Sequence, residues 1–252
     1  MDTVNPQITL ALPCYNERDN ISVVVNESID ALERLGLTWE LLVIDNHSND
    51  GTPDEVQKIV DCERRVRLIV HESNRFYSGS CRTALNEARG QLIAIMDSDG
   101  QFTAKDLPRF VKAIEGGANL VFGWRKIRYD PRSRKVMSWV FNRMARKHLG
   151  CHLHDLNVGI RMFDRKFARA AEIRHALNLA NPELFTRAKQ AGLIIDEVEA
   201  THFAREKGKS CHNVFKLYSI YRQVRRYFRA LRTDLIATQA AMIKPAPTRM
   251  AA

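Results

Sequence analysis

Along the first half of the chain, short apolar runs alternate with amphipathic stretches. The runs at 8–12, 39–44, 66–71, 91–96 and 119–122 have the length of buried strands. Between them apolar residues recur at three- and four-residue steps. Ile21, Val24, Val25, Ile29 and Leu32 predict a helix over 20–35, capped by Asp19 or Asn20 and stopped by Gly36. Further helices are expected over 52–61, with Pro53 in the first turn, over 80–88, ending before Gly90, and over 106–114. Pro13 should end the first strand, because proline cannot donate to a central ladder. Alternation of this kind means βαβ units and an α/β fold with a mainly parallel sheet. Ligands of such sheets bind beyond the carboxyl ends of the strands. Polar clusters stand there: Tyr15-Asn16-Glu17, then Asp45 to Asp50, then Asp97 to Gln101.

The second half reads as a helix over 136–149 with basic and apolar faces, a helix over 181–191 and a strand over 193–198. A helix from Phe215 follows, in which Tyr218, Tyr221, Val224, Tyr227, Phe228 and Leu231 keep helical spacing with arginines between them. The tail from Lys244, with Pro245 and Pro247, should be disordered. The expected organisation is an α/β domain over 1–214, a basic amphipathic helix over 215–243, and a tail over 244–252.

At 252 residues, with 45% hydrophobic and 27% charged positions, the composition is that of a globular protein. No apolar run approaches the length of a membrane span, and the first residues lack the basic-then-apolar order of a signal peptide. A cytoplasmic location, or a peripheral one at the cytoplasmic face of a membrane, is expected. Five cysteines without a CxxC pair read as buried thiols, and Cys151-His152-Leu153-His154 lacks the spacing of a zinc site.

A net charge of +10 implies an anionic partner: nucleic acid, a phospholipid surface or a phosphorylated small molecule. The excess is local. Segment 125–147 holds nine Arg or Lys against the single acid Asp130, and 205–232 is similarly biased, with Glu206 its one acid. No helix-turn-helix, finger or stacking motif accompanies this charge, and acidic loops would repel a nucleic-acid backbone, so nucleic acid is not expected as a partner.

Asp97-Ser98-Asp99 at a strand end places two carboxylates where a hard divalent cation would find oxygen ligands. On its own the pattern is weak, since Asp is common in turns. Its company is specific. LPCYNE at 12–17, IDNHSNDGT at 44–52, NRFYSGSCRTALNEARG at 74–90 and MDSDGQF at 96–102 resemble the family 2 glycosyltransferases with the GT-A (Rossmann-like) fold. The Asp-x-Asp-Gly-Gln form, with DLNVGIR at 155–161 and Arg205 to Ser210, is most similar to the branch of dolichol-phosphate mannose synthases and polyprenyl-phosphate glycosyltransferases.

This resemblance implies an inverting, metal-dependent transfer of a sugar from a nucleotide diphosphate sugar, GDP- or UDP-linked, to a polyprenyl phosphate. It assigns Pro13, Tyr15, Glu17, Asp45, Arg75, Asp97 and Ser98 to the nucleotide sugar, and Asp97, Asp99 and Gln101 to Mg²⁺ or Mn²⁺. Asp97, Asp99, Asp155 and Arg125 would form the catalytic group. Arg125, Arg128, Arg132, Arg134, Arg161, Arg205, Lys209 and Ser210 would receive the acceptor phosphate, for which arginine offers paired donors. A phosphate acceptor is already anionic and needs no strong base. A hydroxyl acceptor would need one, with Asp155 the first candidate. A non-catalytic binding module is the remaining alternative.

The chain departs from the family pattern in places. Asn46 stands where a second Asp is usual, Phe76 and Ser78 where glycines are expected, and Cys211 where a Lys is common. Trp39 and Trp139 are expected in the core and Trp124 beside the donor, whereas His71, His175 and His202 are read as structural or exposed. The helix from 215 is expected either at a membrane surface, alone or with a membrane-protein partner, or packed on the domain with a solvated arginine face.

Overall fold

The computed structural model of the chain describes residues 5–175, 178–205 and 217–243. Among these, seven strands form one sheet: β1 (Ile8–Cys14), β2 (Trp39–Asp45), β3 (Val66–Val70), β4 (Leu92–Met96), β5 (Leu120–Trp124), β6 (Ile160–Asp164) and β7 (Ile195–Glu199). Their order is β3-β2-β1-β4-β6-β5-β7, parallel except for β6, which runs against both β4 and β5. Every residue of β1 and β2 is buried, as a strand covered on both faces requires. The helices are α1 (Arg18–Leu35), α2 (Thr52–Val60), α3 (Phe76–Glu87), α4 (Leu107–Glu115), α5 (Arg132–Leu149), α6 (Arg165–Ala170), α7 (Asn181–Gln190) and α8 (Leu217–Ile243). The mainly parallel α/β sheet expected from the alternation is present.

Several expectations need correction. β1 continues through Pro13 to Cys14, because pairing with β4 has already stopped at Ala11 and only β2 remains alongside the proline. Strand β6 and helix α6 were not anticipated: a charged Arg161 interrupts the apolar pattern of Ile160, Met162 and Phe163. Helices α3 and α5 each start four residues earlier than the first apolar repeat suggests. In α5 the extended residue Pro131 sets the start, and the first turn is polar. Trp139 is 60% exposed instead of lying in the core, whereas Trp39 is buried with the Arg65 guanidinium 3.9 Å from its ring centre. Cys14, Cys81 and Cys151 are buried, but Cys62 is exposed.

Helix α8 turns one apolar face inward and leaves Tyr221 and Ile236 exposed. Val224, Tyr227, Phe228, Leu231 and Leu235 are buried, Phe228 against Phe141 of α5 (5.2 Å between ring centres), and the Tyr227 hydroxyl donates to the Leu179 carbonyl. An ion pair from Arg187 of α7 to Asp234 ties the same helix down. No helix among the described residues is long and apolar enough to cross a membrane. The expected tail, with Lys209 and Ser210, lies outside the described residues.

Candidate active site at the carboxyl edge of the sheet

The ends of β1, β2 and β4 converge, and small polar bonds lock them together. Ser98 Oγ donates to the Pro13 carbonyl at 2.8 Å, so this buried serine ties β4 to β1 and does not face a ligand. Asp45 is fully buried; its Oδ2 accepts the Ser48 N–H at 2.9 Å and braces the loop after β2. The neighbouring Asn46 carries the next connection. Its Oδ1 accepts the Arg75 N–H at 2.9 Å and lies 3.0 Å from His71 Nδ1, while its Nδ2 donates to Asn74. The amide thus both accepts and donates, which a carboxylate, an acceptor only, could not do.

Among the described residues, three that are not glycine take left-handed backbone, and all lie in these loops or at the helix start that follows: Asn16 (φ 54°), His47 (φ 68°) and Phe76 (φ 59°). Phe76 occupies a position where the family pattern expects glycine, and its backbone keeps the conformation that glycine adopts without strain. Such strain, about 1 kcal/mol or more per residue, gathers where a loop must hold a set shape. The Phe76 ring is half exposed at the head of α3. Tyr15 is also exposed, and the Arg75 side chain lines a cavity with His71, Glu72 and Thr83 beside β3.

The carboxylates form the centre. Asp97 Oδ1 accepts the Tyr77 hydroxyl at 2.6 Å, and that hydroxyl accepts Arg161 Nη2 at 2.7 Å. Arg161 is completely buried and also reaches Cys81 Sγ and the Val158 carbonyl. It therefore supports Asp97 from behind and does not meet an acceptor phosphate, which corrects the expectation for this residue. Gly159 closes the other side: a Cβ there would stand 2.4 Å from Asp97 Oδ2. Burial, then the charge of Asp99, pushes the Asp97 carboxyl up to about 6, against the pull of Arg161 and Tyr77.

Asp99 Oδ1 accepts the Gln101 N–H, and its Oδ2 lies 3.5 Å from Arg205, whose other nitrogen pairs with Glu17 at 2.6 Å. Arg205 thus bridges the β1 and β4 loops, on the donor side of the site. Glu17 also accepts Asn20 Nδ2, and burial raises its carboxyl against the lowering effect of Asn20 and Arg205. The Gln101 side chain approaches His202 Nε2 (3.3 Å). His202 is buried, edge-on to Phe102, and burial followed by the charge of Arg125 holds its imidazole below the usual value.

Two mutually repelling carboxylates and an amide oxygen are donors that suit a hard divalent cation, although no three His, Cys, Asp or Glu side chains among the described residues converge on one point. Asp97, Asp99 and Gln101 fit that group, with His202 beside them. The raised Asp97 carboxyl reflects its burial first and the charge of Asp99 second.

Beside His202 lies a cluster of arginines. Arg125 Nε donates to Asp155 Oδ2 at 2.6 Å, its Nη2 to the Asn157 carbonyl at 3.1 Å, and its Nη1 stands 3.6 Å from Asp130. Arg128 grips Asp130 through two nitrogens, at 3.0 and 2.8 Å, and Arg134 approaches the same carboxylate at 3.8 Å. Burial works to raise Asp130, but Arg128 and Arg125 prevail and hold it below the ordinary range. Arg132 is exposed at the start of α5. Asp155 is 2% exposed and paired with Arg125, so it orients that arginine and is not placed as an open base. Trp124 stacks on His154 at 4.5 Å between ring centres.

The structure brings Glu17, Asp97, Asp99, Gln101 and Arg205 together at one edge, with Arg125, Arg128 and Arg134 around Asp130. It places Asp45, Ser98, Asp155 and Arg161 as buried braces. Sequence reasoning missed Tyr77, Asp130 and His202. Tyr77 stands inside the quoted 74–90 motif, and Asp130 is the lone acid of the basic segment; His202 carries no local signal.

Solved structures share the fold. A mannosyltransferase from Pyrobaculum calidifontis, in complex with GDP-Man and Mn²⁺, superposes with a TM-score of 0.59 at 16% identity, covering 97% of this chain and 78% of its own. Glucosyl-3-phosphoglycerate synthase from Mycobacterium tuberculosis, in complex with Mn²⁺, UDP-glucose and phosphoglyceric acid, does so with a TM-score of 0.64 at 18% identity, covering 90% and 80%. Both are GT-A enzymes, and the present sheet has that fold.

Among curated sequences, dodecaprenyl-phosphate galacturonate synthase from Rhizobium johnstonii is 29% identical over 221 residues, 85% of this chain and 64% of its own length. Undecaprenyl-phosphate 4-deoxy-4-formamido-L-arabinose transferase from Pectobacterium atrosepticum is 24% identical over 214 residues, 84% and 64%. The chain thus spans just under two thirds of the length of these relatives. The model of glycosyl transferase family 2 matches residues 9–170, the span from β1 to the end of α6 that holds the Asp97–Asp99 pair and its buried supports, and the chain belongs to that family.

Proposed function

We propose that the protein transfers one sugar from a nucleotide diphosphate sugar to a polyprenyl phosphate, with inversion at the anomeric carbon. The observation that carries this reading is the make-up of the site: the Asp97–Asp99 carboxylates and, beside them, arginines gathered on Asp130. The printed activities of the curated relatives support the same acceptor class.

Asp97, Asp99 and Gln101 would hold Mg²⁺ or Mn²⁺, which when bound supplies positive charge against the donor diphosphate. Glu17 and Tyr15 would meet the nucleoside. Arg205, seated on Glu17 and Asp99 in this structure, would turn to the diphosphate when it arrives. Arg125, Arg128 and Arg134 would orient the acceptor phosphate, with Asp130 and Asp155 holding their guanidinium groups. An acceptor oxygen then bonds to the anomeric carbon as the bond to the nucleotide diphosphate breaks. The nucleophile is an anion, so no residue must take a proton from it. Asp155, the first candidate for a base, is bound to Arg125, which fits this.

The test is transfer from UDP- and GDP-sugars, with Mn²⁺ or Mg²⁺, to a polyprenyl phosphate and to a panel of hydroxyl acceptors. Transfer to the phosphate alone is expected, and Asp99→Ala should remove it while the fold persists. Transfer confined to hydroxyl acceptors, or unchanged turnover in Asp99→Ala, would overturn the reading.

A further inference from the structure

Helix α5 contains six Arg or Lys and no acid in eighteen residues. One face is anchored: Asn142, Ala145 and Leu149 are buried, and Phe141 packs on Phe228. At 100° per residue, Arg132, Lys135, Val136, Trp139, Arg143 and Arg146 share a separate face beside the anchored one, within an arc of about 100°. Every one of them is exposed. Val136 and Trp139 are more than half accessible, and the Arg143 guanidinium stands 5.8 Å from the Trp139 ring centre. The loop before α5 adds two more accessible apolar side chains, Ile127 and Tyr129.

Exposed cations also stand on α8. Lys147 of α5 and Arg232, Arg229 and Arg225 of α8 all bear on the imidazole of His148, which burial and these charges push below its usual value. His148 and the α8 cations around it lie where α5 meets α8, on the other side of α5 from Trp139 and Arg143.

A helix face kept in water would mix acids with its bases and would not carry an open tryptophan. Apolar side chains ringed by arginines match the boundary of a bilayer, where aromatic rings settle at headgroup depth and cations meet lipid phosphates. A nucleic acid or an acidic protein would use the charge but leave Val136, Trp139 and Ile127 in water. On the reading that the acceptor is a lipid phosphate, we propose that the outer face of α5, with the 127–129 loop, is a docking surface for an anionic phospholipid bilayer. Arg125, Arg128 and Arg134 lie at the end of the surface where this loop enters α5, so docking would bring the acceptor headgroup to them. Tyr227 and Phe228 of α8 do not take this role, because both are inside the fold.

Cosedimentation of the full chain with vesicles of phosphatidylglycerol and phosphatidylcholine, against phosphatidylcholine alone, tests the surface. The wild-type protein should bind the anionic vesicles and release them at high salt. Val136→Glu/Trp139→Glu should weaken binding by about tenfold or more. Its transfer to a short-chain, water-soluble prenyl phosphate without vesicles should stay within about twofold of wild type, since neither residue touches the site. A wild type that ignores anionic vesicles, or a double variant that binds them equally well, would overturn the docking surface. Duplex DNA bound through the same two residues and preferred to vesicles would reassign it to nucleic acid and overturn it as well. Vesicle binding lost in the double variant, with no transfer to any prenyl phosphate by wild type, would uphold the surface and remove only the acceptor reading.

Discussion

Replacing Asp97 by Asn should stabilise the metal-free protein while disabling its donor site. Burial and the charge of Asp99 move the Asp97 carboxyl from an ordinary value of 3.8 to about 6. A displacement of that size corresponds to ~3 kcal/mol. Asp97 is only partly shielded from water, which brings the expected figure to about 2 kcal/mol. The folded state holds this proton more tightly than the unfolded chain does. The favourable contribution is therefore complete below about pH 4 and is lost as pH rises through about 6, so the folded protein bears the whole charge penalty above that. Asn keeps a carbonyl oxygen for the Tyr77 hydroxyl and carries no charge.

Urea unfolding in the presence of EDTA, repeated from about pH 4 to pH 8, measures the difference between variant and wild type. That difference should be smallest at the acid end and reach about 2 kcal/mol near neutrality, or a rise of about 4–8 °C in Tm for a chain of this size. Adding Mn²⁺ with UDP should raise the Tm of wild type and leave Asp97→Asn unmoved. A variant no more stable than wild type at pH 7.5, or a gap that stays flat across the range, would refute the view that Asp97 is held at a cost in readiness for a cation.

Two other substitutions probe the two sides of the site. In Gly159→Ala the new methyl group would stand 2.4 Å from Asp97 Oδ2 and 2.5 Å from the Phe102 ring. It should displace the carboxylate and weaken Mn²⁺-dependent nucleotide binding by about tenfold or more in calorimetry, at a stability cost of about 1–3 kcal/mol; unaltered affinity would show that Asp97 does not need its present position. Asp130→Asn loosens Arg128, Arg125 and Arg134 together. The KM for prenyl phosphate should rise by about tenfold while nucleotide affinity holds, and a change confined to the nucleotide would place these arginines on the donor instead.

The donor half of the site was readable because its residues travel in short blocks at strand ends. Once 12–17, 44–52 and 96–102 are placed after β1, β2 and β4, a parallel sheet must bring them to one edge. Which of those residues face a ligand was not readable in the same way. Asp45 and Ser98 lie within these blocks, yet both point into the fold, Asp45 toward Ser48 and Ser98 toward Pro13. Arg161 looked like another phosphate-binding arginine among many. Its burial follows from its place in β6, an antiparallel strand between β4 and β5 that the apolar pattern hid.

Local periodicity and strand-end motifs, then, determined the fold class, the donor edge and the surplus of positive charge, because each is encoded by neighbours in the chain. The tertiary structure alone decided the partners that meet across long separations. Tyr77 reaches Asp97, Arg205 reaches Glu17, and the apolar side of α8 closes on α5, leaving Trp139 outside. A side chain's charge is written in the sequence, but whether it is spent inside on a partner or kept for a ligand depends on which distant segment folds against it.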